Sequence, residues 1–406
     1  MGPFQLAFVL ASLASVASYE HPDRRIADLI YFPTGGGKTE AYLGLIAFTL
    51  VLRRLRGKSR ADEGRGVAVI LRYTLRLLTL DQLGRAATLM CALEEMRRRD
   101  PKRLGNTRFT VGLWVGQSTT ANRLKDVHKA LQDYSKGSSS SPFPLSTCPW
   151  CGADIDIRSI KLLDSKGKPS KTKFERAVVY CDGKDCIFTE RKRPGQGLPV
   201  LFVDEQIYQE LPDFLVATVD KFAMLPWLGE AGMLFGQVTH LDERRAYGVM
   251  HPAPKGATLL PEGLHPPELI VQDELHLISG PLGTMVGLYE TALDFLCTRE
   301  VGGVAREPKV VCSTATARRA REQIRALFDR EMSLFPARGI DEGGNFFATL
   351  DSEGSGRLYV GVAAPGRALR AVSVRVYATL LAAAQKHFDP KGPLEQSADP
   401  FMTLVG

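Results

Sequence analysis

Phe32-Pro-Thr-Gly-Gly-Gly-Lys-Thr39 has the composition of a phosphate-binding loop, and this loop indicates the fold class. Its three glycines allow successive backbone N–H groups to converge on a phosphate without obstruction by side chains. In such a loop Lys38 reaches the β- and γ-phosphates of ATP, and the Thr39 hydroxyl is a ligand of Mg²⁺. We therefore predict a nucleotide-binding loop made of Thr34, Gly35, Gly36, Gly37, Lys38 and Thr39. Phe32 stands where the strict pattern has glycine, and a glycine-rich turn with an incidental lysine is the alternative.

The sequence on both sides of the loop alternates between apolar runs and stretches with helical spacing. Residues 26–32 form a short apolar run that enters the loop, and residues 39–54 are apolar at the spacing of a helix. A helix is also predicted at 80–99, and further strands are predicted at 67–71, 109–115, 214–218, 269–272 and 309–313. Strands separated by helices form parallel sheets that are covered on both faces. The fold class is therefore α/β, a RecA-like parallel sheet of the P-loop NTPase type.

Two segments interrupt this alternation, and they define the predicted domains. Residues 1–134 and 195–338 are expected to form the first RecA-like domain. Residues 135–194 are expected to be an inserted zinc-ribbon module, and residues 225–267 a surface insertion, because both are rich in polar residues, Gly or Pro. Residues 339–406 are expected to be a linker and the incomplete start of a second RecA-like domain, with a strand at 357–362 and a helix at 371–385.

Two neighbouring carboxylates follow the apolar run at 269–272, in the sequence Asp273-Glu274-Leu275-His276. A carboxylate at the end of such a strand faces the phosphate-binding loop across the edge of the sheet. We assign Asp273 to Mg²⁺ and Glu274 to polarisation of the attacking water. His276 would contact the nucleotide and link it to the opposite domain. Two solvated acids at a strand end are the alternative.

Small polar residues follow three other predicted strands. Ser313, Thr314 and Thr316 lie at the end of the strand at 309–313, where hydroxyls can bond the two carboxylates and couple the nucleotide to a nucleic-acid site. Hydroxyls, basic groups and helix N-termini at strand ends also hold nucleic-acid backbones. On this basis the candidate nucleic-acid-binding residues are Thr74, Arg76, Gln82, Thr218 and Asp220. Plain helix capping is the alternative for these sites.

Four of the seven cysteines form two close pairs, Cys148-Pro-Trp-Cys151 and Cys181-Asp-Gly-Lys-Asp-Cys186. Two such pairs on separate hairpins can present four thiolates in a tetrahedron, which predicts a structural Zn²⁺ site bound by Cys148, Cys151, Cys181 and Cys186. A disulfide or redox pair is the alternative. The other three cysteines sit singly in apolar stretches and are interpreted as core thiols.

The composition indicates a folded protein of several domains. With 406 residues, 44% of them hydrophobic, the chain is neither disordered nor fibrous. A net charge of +7 favours a polyanionic partner without proving one. The apolar run at 4–18 resembles a signal peptide, but no Lys or Arg precedes it and the nucleotide-binding loop follows closely. We therefore expect a buried amphipathic helix, a cytoplasmic protein and no contact with membranes.

Taken in order, the loop at 32–39, Thr74-Leu75-Arg76, Thr218-Val219-Asp220, Asp273 to His276 and Thr314-Ala315-Thr316 resemble the motor motifs of superfamily 2 helicases. Longer phrases, FPTGGGKTEAYL at 32–43, LRYTLRLLTL at 71–80 and QDELHLISGPLG at 272–283, resemble the DrmA helicase family of the DISARM bacteriophage-defence systems. The resemblance implies ATP and Mg²⁺ as cofactors, with Gln5 as a reader of adenine. It also implies single-stranded or duplex DNA as the polymer and a DrmB-like partner protein.

The function that this resemblance implies is an ATP-dependent DNA helicase or translocase of a bacterial defence system. Helicases of this class have a second RecA-like domain with an arginine finger, and no segment before Gly406 matches it. We therefore expect the chain alone to bind ATP weakly and to hydrolyse it barely. One alternative is a zinc-stabilised nucleic-acid-binding adaptor with a vestigial ATP site. Another is the motor subunit of a different restriction system.

Overall fold

The computed structural model of the chain describes residues 2–33, 35–74, 76–116, 120–136, 141–315, 319–337, 339, 344–349 and 360–388. The chain divides into two compact units, Met1–Thr349 and Leu350–Gly406. The first unit contains the predicted nucleotide-binding loop and both predicted insertions.

Within the described residues, the centre of the first unit is an eight-stranded, wholly parallel sheet. Its strands are β1 (Ala27–Tyr31), β2 (Val69–Tyr73), β3 (Val111–Trp114), β6 (Val200–Leu201), β7 (Phe214–Thr218), β11 (Leu269–Gln272), β14 (Lys309–Thr314) and β15 (Met332–Phe335). Short antiparallel strands outside it are β4 (Ile160–Leu163), β5 (Arg176–Val179), β8 (His240–Leu241), β9 (Ala246–Tyr247), β10 (Thr258–Leu259), β12 (Arg299–Val301), β13 (Val304–Arg306), β16 (Gly344–Asn345) and β17 (Ala348–Thr349). The strand order across the parallel sheet is β15-β1-β14-β11-β2-β7-β3-β6. The predicted α/β fold with a parallel sheet is confirmed.

Helices cover both faces of this sheet. They are α1 (Pro3–Ala17), α2 (Lys38–Gly57), α3 (Arg76–Arg99), α4 (Pro101–Leu104), α5 (Leu124–Ser135), α6 (Asp204–Glu210), α7 (Val219–Phe222), α8 (Gly280–Cys297) and α9 (Ala320–Phe328), with α10 (Leu369–His387) in the second unit. Alternate residues of a strand point to opposite faces, so Phe214 and Val216 of β7 join the core beneath α1, α2 and α3. Leu215 and Ala217 join a separate core beneath α6, α8 and α9. Burial on both faces explains why the strands are apolar runs rather than alternating ones.

The N-terminal run forms helix α1, close to the predicted span of 4–18. Phe4, Phe8 and Val16 lie on one buried face, which packs beside α2, whereas Leu6 and Leu10 are more than half exposed. Across the described residues, no helix combines the length and the apolar character that a membrane span requires.

The two insertions have their own small sheets. In the first, β4 and β5 pair as an antiparallel hairpin next to the cysteine pairs. The second insertion, predicted as a surface insertion, lies outside the parallel sheet but contains regular structure of its own. Strands β8, β9 and β10 form a three-stranded sheet, and the side chains of Met233, Leu234 and Phe235 are buried in the core beneath α6. Its Gly and Pro residues serve turns in a packed segment rather than a solvated loop.

The second unit contains α10 where a helix was predicted at 371–385. Most of the strand predicted at 357–362 lies outside the described residues, and residues 360–362 are not in a strand.

Candidate nucleotide and nucleic-acid site

The loop between β1 and α2 has the backbone that its glycines predict. Gly35 and Gly37 have φ angles of 82° and 84°, a region that side chains other than glycine rarely adopt. Gly37 caps α2, which begins at Lys38. A helix N-terminus with free N–H groups favours an anion, so phosphates are the expected ligand here. Thr34 lies outside the described residues.

Aromatic side chains close the loop from the side of α1. The ring of Phe32 stacks on Phe4 with centroids 4.0 Å apart, and a methyl group added to Gly36 would lie 2.3 Å from the Phe32 ring. Gln5 donates from Nε2 to the carbonyl oxygen of Gly37 at 3.4 Å. Gln5 therefore contacts the loop backbone, and its assignment to adenine stays a prediction. The phenylalanine at the position of the strict-pattern glycine anchors the loop to α1.

Lys38 and the carboxylates lie at the same edge of the sheet, because β1 and β11 flank β14. The ammonium of Lys38 donates to the carbonyl oxygen of Phe32 at 2.7 Å. Burial lowers the pKa of Lys38, while Glu274 and Asp273 act in the opposite direction. The side chain is thus buried beside two acids and held by the loop that it would serve.

Tyr42 connects the two residues that were assigned to Mg²⁺. Its hydroxyl lies 3.3 Å from Thr39 Oγ1 and donates to Asp273 Oδ2 at 2.9 Å. The hydroxyl of Tyr73, at the end of β2, is 2.8 Å from that of Tyr42. Burial raises the pKa of both tyrosines well above 10, so both are protonated donors. Tyr42 follows Lys38 by one helical turn and so shares its face of α2, although this spacing alone does not indicate the contact with Asp273.

Glu274 has a strained backbone, with a φ of 49°. Its N–H donates to Asp273 Oδ1 at 2.9 Å, and its side chain lies 3.3 Å from Nδ1 of His276. Burial, and next the charge of Asp273, raise the pKa of Glu274. A carboxylate with a raised pKa is a stronger proton acceptor, which suits the polarisation of a water molecule.

The end of β14 contacts this group through Thr314, whose Oγ1 is 3.1 Å from Nδ1 of His276. Ser313 is completely buried, and its hydroxyl has no hydrogen-bond partner within the described part of the chain. The structure thus brings His276 and Thr314 together, whereas a bond from Ser313 to the carboxylates is absent in this conformation. Thr316 lies outside the described residues.

The candidate nucleic-acid-binding residues lie farther along the same edge. Tyr73, which precedes Thr74, is in register with Thr218 on the neighbouring strand β7. Thr218 is completely buried, so nucleic acid cannot reach its side chain in this conformation. The predicted direct contact by Thr218 is therefore corrected, because its side chain lies behind the protein surface. Thr74, Gln82 and Asp220 are partly exposed. The side chain of Arg76 is outside the described part of the structure.

The four paired cysteines converge, and all four sulfur atoms lie within 4.8 Å of one another. The distances are 3.9 Å between Cys148 and Cys186 and 3.4 Å between Cys151 and Cys181, and none of the four is in a disulfide. Tetrahedral zinc with Zn–S bonds of about 2.3 Å requires sulfurs about 3.8 Å apart. These residues therefore fit the ion.

Backbone N–H donors around the cysteine cluster favour thiolates, the form of cysteine that binds a metal ion. Backbone N–H groups of Gly183 and Phe188 point at the sulfurs of Cys181 and Cys186, at 3.3 and 3.4 Å. Burial raises the pKa of Cys148 to about 11, so binding of Zn²⁺ would release a proton from it. With four thiolates and no open position, such a site has a structural rather than a catalytic role.

Comparison with known proteins shows which proteins this chain resembles. No protein-family model matches the chain. Along its whole length the chain is 39% identical, over 429 aligned positions, to DISARM protein DrmA of Bacillus paralicheniformis. The chain spans 37% of the length of that relative.

Crystal structures of the DUF1998 helicase MrfA, alone, bound to DNA, and bound to DNA and AMPPNP, resemble 82% of the chain at 12% identity. The similar region covers 33%, 27% and 29% of the three MrfA chains, and the TM-scores are 0.34, 0.36 and 0.34. Such TM-scores do not establish a common fold. The identity to DrmA is much higher, and it confirms the resemblance to DrmA that the motifs of this chain indicate, for the part of DrmA that the chain spans.

Proposed function

We propose that this chain is part of an ATP-dependent DNA helicase or translocase that acts in a DISARM-type defence system. The observation that carries the proposal is the convergence at Tyr42. Its hydroxyl is within hydrogen-bonding distance of both Thr39 and Asp273, so the two expected Mg²⁺ ligands lie on either side of one side chain. A phosphate-binding loop alone indicates nucleotide binding, whereas the added carboxylates are what hydrolysis requires.

Each residue of the site has one role in this proposal. Lys38 would leave the carbonyl oxygen of Phe32 and neutralise charge on the β- and γ-phosphates. Thr39 and Asp273 would hold Mg²⁺. Glu274 would orient the attacking water and accept its proton. His276 and Thr314, already in contact, would sense the γ-phosphate and transmit its loss toward β14.

DNA as the polymer and a DrmB-like protein as the partner are further parts of the proposal. The similarity to DrmA supports them, and the basic net charge is consistent with a polyanion. The adaptor with a vestigial ATP site has less support, because Lys38, Thr39, Asp273 and Glu274 are all retained in a converging arrangement. A different restriction system would use the same site and differ in its partner proteins.

Nucleotide binding by the chain tests the site directly. Titration with a fluorescent ATP analogue and Mg²⁺ is expected to give saturable binding, which Lys38→Ala weakens by about a hundredfold or more because a charged contact to phosphate is lost. Lys102→Ala is the matched control, because that lysine is exposed on α4. Equal binding by the Lys38 variant and the wild type would contradict the proposal.

A further inference from the structure

The tip of the β4–β5 hairpin carries a cluster of lysines that the nucleotide site does not use. Lys166, Lys168, Lys171 and Lys173 fall within eight residues, and all four are exposed. We call residues 164–175 the lysine loop. It belongs to the cysteine module at 135–194, which has twelve basic and seven acidic residues. The module thus carries +5 of the net charge of +7 on the whole chain.

The lysine loop has a defined backbone. One carboxylate oxygen of Asp164 accepts from the backbone N–H groups of Lys166 and Lys168, both at 2.9 Å. Farther along, the hydroxyl of Ser170 accepts from the N–H of Lys173 at 3.1 Å. These bonds close successive turns, so the ammonium groups project from a shaped loop rather than from a flexible tail.

The positive charges of the loop are not neutralised within the described residues. None of the four ammonium groups has a described carboxylate within ion-pairing distance. Of the two acids in the loop, Asp164 accepts from backbone N–H groups and Glu175 pairs with Arg245 at 2.7 Å. Lys166 borders a hollow that acidic side chains also line, Glu243 among them, whereas Lys168, Lys171 and Lys173 do not border it. Lys168, Lys171 and Lys173 are the most available.

The hairpin holds these lysines in place relative to the parallel sheet. Leu162 and Ala177 pair across β4 and β5, and both are buried in the core that also contains the cysteine cluster. The module is tied to α3 by the Thr88 hydroxyl, which donates to the carbonyl oxygen of Pro149 at 3.0 Å. Helix α3 begins at Arg76, two residues after Thr74, so the module is attached to a helix that starts at the predicted nucleic-acid edge.

We propose that the lysine loop is a second contact for nucleic acid, which binds the phosphate backbone without reading its sequence. Lysine suits this role because its ammonium is a compact charge on a long flexible stem. Phe174, the one aromatic residue of the loop, packs against His128, and the loop contains no arginine, so base stacking and bidentate base contacts are not expected. The identity of the polymer rests on the proposed function, whereas the location of the contact rests on the loop.

The test compares two triple variants of the 406-residue chain with the wild type. Lys168→Gln/Lys171→Gln/Lys173→Gln removes three charges from the loop. Lys58→Gln/Lys102→Gln/Lys255→Gln removes three exposed charges elsewhere. Fluorescence anisotropy with labelled single-stranded and duplex DNA, over a series of salt concentrations, gives the affinity and its salt dependence.

We expect the slope of log affinity against log salt to become less steep in the loop variant, by about 2 for single strands and about 3 for duplex. Each phosphate contact that is lost removes its share of the counterions released on binding. Affinity at about 0.1 M salt should fall about a hundredfold. The control variant should match the wild type, and circular dichroism should show both variants folded.

Three results would count against the inference. If the wild type binds DNA and the loop variant keeps the same salt slope, the lysine loop is not a contact, and the proposed function is untouched. If the loop variant loses binding to polyglutamate but not to DNA, the loop recognises acidic polypeptides instead. Absence of DNA binding by the wild type would count against the loop and the DNA part of the proposed function together, while the nucleotide titration would still report on the ATP site.

Discussion

At the scale of single residues, Tyr42 is the side chain on which the proposed metal site depends. The hydrogen bond that it donates to Asp273 fixes the rotation of that carboxylate relative to Thr39. Groups that orient metal ligands in this way commonly contribute about 10–100-fold to metal affinity.

We therefore expect Tyr42→Phe to raise the Mg²⁺ concentration required for nucleotide binding by about tenfold or more. Tyr289→Phe is a matched control, because it removes one partly buried hydroxyl that donates to the Val219 carbonyl oxygen at 2.9 Å, away from the loop. The measurement is the Mg²⁺ dependence of analogue binding. An unchanged dependence in the Tyr42 variant would show that Asp273 is oriented without it.

The motif residues Lys38, Asp273 and Glu274 could be located from sequence, because each combines a chemically distinctive side chain with the end of a predicted strand. Tyr42 and the Phe4–Phe32 stack were missed. An aromatic residue within a helix ordinarily indicates core packing, and only the assembled sheet brings Tyr42 next to a residue 231 positions away. The burial of Thr218 was missed for a similar reason, since a polar residue after a strand is usually accessible.

At the scale of secondary structure, the six predicted strands of the parallel sheet were found within two or three residues of their predicted ends or starts. Continuous apolar runs are a strong signal when both faces are covered. Strand β6 has only two residues and β15 is half exposed, so neither has such a run. The short antiparallel strands of the second insertion also escaped prediction, because two-residue strands have no periodicity to detect.

The C-terminal end of this insertion contains a histidine with an unusual environment. Burial, followed by the charges of Arg60 and Arg53, lowers the pKa of His265 from 6.5 to about 3. The folded state therefore prefers neutral His265. The resulting contribution to stability is complete above about pH 6.5 and is lost as the pH falls toward 3.

Replacing this histidine with glutamine, which cannot be protonated here, should make the melting temperature depend less steeply on pH between about 6.5 and 4. His240→Gln, on the short strand β8, is the control. Melting curves at a series of pH values measure the effect. Parallel pH profiles for the wild type and His265→Gln would mean that this histidine is not a source of acid sensitivity.

At the scale of the whole molecule, the cysteine module is part of the main core rather than an appendage. Cys148, Cys181 and Cys186 are buried in the same apolar cluster as residues of α2 and β7. A metal that holds the four thiolates together would therefore stabilise the first unit as well as the module.

We expect metal analysis of the purified chain to return about one zinc ion per molecule. Cys148→Ser should abolish zinc binding and lower the melting temperature of the first unit, because an incomplete site leaves buried thiols without the ion. Cys297→Ser, at a buried thiol far from the cluster in sequence, should leave the zinc content unchanged. A zinc-free protein whose melting temperature does not respond to Cys148→Ser would refute the site.

The stacking of Phe4 on Phe32 has a practical consequence for handling this protein. Because Phe4 and Gln5 both touch the nucleotide-binding loop, any polypeptide joined ahead of α1 is attached within about one helical turn of that loop. A purification tag or fluorescent fusion at that end would share space with an incoming nucleotide. Labels for the binding experiments are better placed elsewhere, and an affinity that changes on tag removal would reveal this proximity.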